Sequence, residues 1–139
     1  MQITAKILDA VKQSTQCLVV ACFESGKLSA AANAINAADA KQLETLLKRE
    51  KFDGKVGQSL LLFNPQGIAA ERLLVIGFGT LDKQGSVSSD NFRKAVQKVP
   101  DALKATHCSD LSIILGDISV TSKDAEWQAR QTVEILIAS

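Results

Sequence analysis

The chain has no tyrosine, one tryptophan, one histidine, one methionine and two prolines in 139 residues. With five phenylalanines as its other aromatics, it carries no aromatic motif of the kind that stacks RNA bases. Because His107 is the sole histidine, any Ser-His-Asp machinery would have to use it. Three cysteines are an odd number, and Cys17, Cys22 and Cys108 match no disulfide framework, which points to a reducing, cytoplasmic setting. No apolar run approaches the roughly 20 residues of a membrane span, and the first residues lack the apolar core of a signal peptide. Charge of one sign is also missing. The net charge is +1, so no global field draws the chain to nucleic acid or an anionic membrane.

The remaining composition is that of one globular domain, 46% apolar and 22% charged, long enough for a single core. Ile3 to Leu8 alternates like a strand. Cys17–Phe23 is apolar throughout, and Leu73–Ile76 runs without alternation into Gly77-Phe78-Gly79. Strands buried on both faces read this way, as in a sheet covered by helices on both sides. A buried strand at Ser59–Phe63, ended by Asn64-Pro65-Gln66-Gly67, is placed to pair with the strand at 72–76; a last strand is expected at Leu111–Leu115. The first helix is expected from an N-cap at Asn36 through Ala40, Leu43, Leu46 and Leu47, stopping before Gly54. A second carries Phe92, Ala95, Val96, Val99 and Leu103, with Pro100 expected to kink or divide it. A third opens on a capping box, Thr121 and Asp124, with a stripe of Ala125, Ala129, Thr132, Val133 and Leu136. The order, roughly ββαββαβα, implies an α/β layered fold with a mixed central sheet flanked by helices. The third helix is still periodic at its last residues and lacks a glycine or asparagine cap, so the chain reads as a piece of something longer.

Residues with chemical potential are few. Gly77-Phe78-Gly79-Thr80-Leu81-Asp82 begins like a dinucleotide fingerprint, but Asp82 replaces the third glycine and no helix follows at once, which favours a structural turn. Cys17, Cys22, His107 and Cys108 are metal-ligand types without metal-ligand spacing; Cys17 and Cys22 face opposite sides of one strand. Asp82 and Asp117 fall near strand ends and read as turn-forming aspartates. Two basic clusters stand out, Lys48, Arg49, Lys51 and Lys55, then Arg93, Lys94 and Lys98. No catalytic, cofactor-binding or metal-binding residue is assigned.

Four segments in order nevertheless resemble the N-terminal domain of the leucyl (cytosol) aminopeptidase family. They are Phe52-Asp53-Gly54-Lys55-Val56-Gly57, Glu71-Arg72-Leu73-Leu74-Val75-Ile76-Gly77-Phe78-Gly79, Phe92-Arg93-Lys94-Ala95, and Trp127-Gln128-Ala129-Arg130-Gln131-Thr132-Val133-Glu134. The resemblance spans almost the whole chain. It implies a macro-like domain over residues 1–139, without catalytic residues, at the start of a longer chain. A C-terminal catalytic domain would hold two divalent metal ions, manganese or zinc, and remove N-terminal residues, preferentially leucine, from peptides. The expected partners are that domain and five further copies in a hexamer, in the cytoplasm and not at a membrane. This domain would support assembly or control access. Two other roles are compatible with the resemblance. One is DNA binding through Lys48, Arg49, Lys51, Arg93, Lys94 and Lys98. The other is residual nucleotide or ADP-ribose binding at the loops after Ile76 and Leu115, although glycine-rich backbone for phosphates is scarce.

Overall fold

The computed structural model describes residues 2–4, 11–12, 14–104, 106, 108, 110–115 and 117–138. Five strands lie in the order β1 (Gln2–Thr4), β7 (Asp110–Ile113), β2 (Cys17–Phe23), β5 (Arg72–Gly77) and β4 (Ser59–Phe63). β2 runs parallel to both β5 and β7, and β4 is antiparallel to β5, so the sheet is mixed as expected. A short β3 (Lys27–Leu28) folds back antiparallel on the end of β2. A separate bracket joins β6 (Ser86–Val87) in parallel to β8 (Ser119–Val120).

The unbroken apolar run of β2 follows from its central place. Cys17, Val19 and Ala21 point into a core with α3 (Ser89–Leu103) and α4 (Ala125–Ala138). Leu18, Val20 and Cys22 point into the opposite core with α1 (Ala30–Ala38) and α2 (Gln42–Arg49). Helices cover both faces of the sheet, with strand residues alternating between them.

Several expectations need correction. β1 is described only over Gln2–Thr4; residues 5–8 lie outside the described residues. β4 is an edge strand rather than a buried one, with Phe63 63% exposed and Arg72 stacked over its ring. Asn36 does not open a helix. It lies inside α1, which Ser29 caps by accepting from Ala32 N at 3.2 Å. Ala40 and Lys41 then break the chain in left-handed conformation, and the Asp39 carboxylate caps α2 through the amides of Gln42 and Leu43. Pro100 does not divide α3, because Val99 and Leu103 are buried on either side of it and hold the last turn in place. Thr121 is not a cap either. Asp124 accepts from Trp127 N at 2.8 Å, while the Thr121 hydroxyl donates to Asp82. Finally, α4 buries Gln128, Thr132 and Leu136, leaving Ala125 and Ala129 exposed and Val133 37% exposed.

Candidate functional site

In an open sheet of parallel strands, ligands enter at the carboxyl ends, where the loops after β2, β5 and β7 meet the start of α1. Those ends are close-packed with backbone. Gly77 N donates to Gln58 O at 2.8 Å, Phe78 N to Cys22 O at 2.9 Å, and Gly79 N to Gly54 O at 2.9 Å. Glu24 N in turn donates to Gly79 O at 3.0 Å, and the Thr80 hydroxyl donates to the Glu24 carboxylate. A Cβ on Gly77 would stand 2.2 Å from Lys55 O, and one on Gly54 would stand 2.0 Å from Phe23 O. These glycines admit the chain's own 54–57 loop rather than a ligand. Among the described residues, the amides of Glu24, Gly77, Phe78 and Gly79 are already donating inside the protein.

The start of α1 is engaged in the same way. Asp117 reaches across from the loop after β7, and its Oδ2 accepts from Ala31 N at 2.8 Å. With Ser29 on Ala32 N, two of the free amides of that helix end have internal acceptors, and a carboxylate already occupies its anion-favouring position. Sequence reasoning missed this role. Asp117 and Ala31 are 86 residues apart, and no local spacing connects them. Asp82 also works within its own loop. It accepts from Gln84 N and Ser86 N at 2.9 Å each, and from the Thr121 hydroxyl at 3.0 Å. The Ser86 amide, then the Thr121 hydroxyl and Gln84 amide, hold its carboxyl below the ordinary 3.8. The two aspartates are thus turn- and cap-forming residues.

Cys17 and Cys22 lie in opposite cores, as their spacing requires. Burial pushes the Cys17 thiol up to about 12, aided by the nearby Cys108, and the Cys22 thiol up to about 11. Neither is a thiolate at neutral pH, so neither is poised as a nucleophile, and lying in opposite cores they cannot share one metal ion. Cys108 is half-buried and its thiol donates to Asp110 O; His107 lies outside the described residues. Among the described residues no three His, Cys, Asp or Glu side chains converge on a point where a metal ion could sit.

Three of the four residues of the first basic cluster are paired locally, Lys48 with Glu44 at 3.3 Å, Arg49 with Glu50 at 3.9 Å and Lys55 with Asp53 at 3.8 Å. Arg93, Lys94 and Lys98 lie on α3, and the Lys98 side chain reaches the 54–57 loop, where a Cβ on Gly57 would stand 3.4 Å from its Cε. No described helix is long and apolar enough to cross a membrane. A surface recess of about 380 Å³ lies between α3 and α4 beside Arg93, Pro100 and Glu134.

Comparison with known proteins follows the same lines. The family described as "Cytosol aminopeptidase family, N-terminal domain" matches residues 19–139. A probable cytosol aminopeptidase of Azotobacter vinelandii is 38% identical over 137 residues, covering 99% of this chain and 27% of that protein. Another, from Methylobacillus flagellatus, is 34% identical over 97% of this chain and 27% of its own length. The chain spans about a quarter of the length of the curated relatives it matches. Among solved structures, the macrodomain of Mycobacterium tuberculosis DarG superposes with a TM-score of 0.72 at 11% identity, covering 99% of this chain and 91% of that one. A tomato leucine aminopeptidase gives a TM-score of 0.67 at 21% identity, covering 97% of this chain and 26% of that one. The fold is macrodomain-like, as the resemblance implied.

Proposed function

The chain belongs to the cytosol aminopeptidase family as its N-terminal domain, and we propose that it is the non-catalytic accessory domain of a longer leucyl aminopeptidase. The observation that carries this reading is the family match over residues 19–139, on a chain whose curated relatives are about four times as long. The crest of the sheet supports it. Among the described residues, the amides of Glu24, Gly77, Phe78 and Gly79, and of Ala31 at the start of α1, have internal acceptors, which favours a structural role for that end over ligand binding.

In this reading the remainder of the protein follows Ser139 and holds two divalent ions, manganese or zinc, which activate a water against the peptide bond. That part removes N-terminal residues, leucine-like ones preferentially. The present domain contributes no group to the chemistry. It supports a cytoplasmic hexamer or shapes access to the catalytic interior.

The source gene supplies the test. Sequenced beyond the codon for Ser139, the frame is expected to continue into a domain with clustered lysine, aspartate and glutamate ligands. A stop codon directly after Ser139 would remove the parent enzyme and the accessory role together.

A further inference from the structure

Helix α4 has two apolar faces, and the domain covers one of them. Trp127, Gln128, Thr132, Ile135 and Leu136 face inward, where Trp127 packs on Phe92 at 5.7 Å between ring centres. A second strip, Ala129, Val133 and Ile137, runs in i,i+4 steps along the outside. Val133 is 37% exposed and Ile137 73% exposed, and they are two of the four large apolar side chains left exposed among the described residues.

The choice of what is buried is informative. The core takes Gln128, whose amide must donate to Ile118 O, and Thr132, whose hydroxyl donates to Gln128 O. Two aliphatic side chains one turn apart are left outside, although burying apolar surface is the main favourable term in folding. A helix end serving this domain alone gains nothing from that strip. Adjacent exposed apolar side chains rimmed by charge are the form that interaction surfaces take, and here Arg130, paired with Glu126 at 2.9 Å, and Glu134 form the border.

We infer that the outer face of α4, centred on Val133 and Ile137, is the docking surface for the C-terminal part of the same chain. The inference rests on the accessory-domain reading, in which the remaining three-quarters of the protein follow Ser139, two residues beyond Ile137. Exposure rises along the strip towards that end, from Val133 to Ile137. A partner tethered there meets this face at high effective concentration.

The test is Ile137→Cys, made in the 139-residue chain and in the full product of the source gene, with maleimide labelling followed at that residue by peptide mass. Labelling at least tenfold slower in the full product is expected. Equal rates in both, with leucine release intact, would overturn the docking surface and leave the accessory reading standing. Protection in a full product that releases no leucine would uphold the surface and sink the aminopeptidase reading. Protection that grows with concentration in the 139-residue chain would put a second copy on the face and overturn the intrachain partner. As a second measure, Val133→Asp is expected to leave the unfolding midpoint of the 139-residue chain unchanged and lower that of the full product; a full product equally unaffected would count against the surface.

Discussion

At the scale of single residues, the crest of the sheet is held by groups whose roles are set by close approach. Gly54 has φ +85°, and its absent Cβ would meet Phe23 O at 2.0 Å. Gly54→Ala is therefore expected to cost about 2 kcal/mol or more, from strained backbone and a carbonyl that must move. Urea unfolding measures this; a loss of a few tenths would show that the loop yields easily. Asp117→Ala should cost about 1 kcal/mol, the usual worth of a helix cap, with Asp117→Asn recovering part of it. Asp82 governs the response to acid. Its folded carboxyl titrates below the ordinary 3.8, so its contribution is fully present above 3.8 and is lost as pH falls through the lower folded value. Melting temperatures recorded from neutral pH downwards should show a shallower acid limb in Asp82→Asn than in the parent chain. An identical limb would mean that the loop between β5 and β6 does not sense this charge.

At the scale of elements, what could be read from the sequence depended on how cleanly burial follows pattern. β2 and β5 were legible because strands covered on both faces have no polar side to interrupt them. The inward face of α3 was legible because all five apolar positions of its stripe are buried. α1 was not, because its alanine-rich run has little amphipathic contrast; Ser29 was the available signal. The orientation of α4 was hidden because buried Gln128 and Thr132 are paid for by hydrogen bonds that no hydropathy pattern reveals. This rotation is testable: Leu136→Ala should cost about 2–5 kcal/mol and Ile137→Ala less than about 0.5 kcal/mol in the 139-residue chain. Comparable losses would mean that Ile137 is packed within the domain and that the outer strip is not free. For α3, Pro100 removes the amide that Val96 O would otherwise receive, so Pro100→Ala should stabilise the domain by about 1–2 kcal/mol, the lost helix strain exceeding the proline's effect on the unfolded chain. Thermal unfolding decides it, and a destabilised variant would mean the proline fits its site.

At the scale of the whole molecule, the fold is macrodomain-like, and at the carboxyl ends of its parallel strands the described amides of Glu24, Gly77, Phe78, Gly79 and Ala31 donate to the chain's own backbone and to Asp117. Little of this bonding could be read in the sequence. Gly77-Phe78-Gly79 announces a turn, but its occupancy depends on the 54–57 loop and on a carboxylate from a distant strand end. The same frame leaves an apolar strip on α4, the face proposed above to dock the C-terminal part. The central claim is that this domain belongs to an aminopeptidase and lacks the chemistry itself. The most direct measurement is leucine amide hydrolysis with added manganese or zinc, by the purified 139-residue chain and by the full product of its gene side by side. The account predicts turnover by the full product alone, whereas metal-dependent turnover that co-purifies with the 139-residue chain would contradict it.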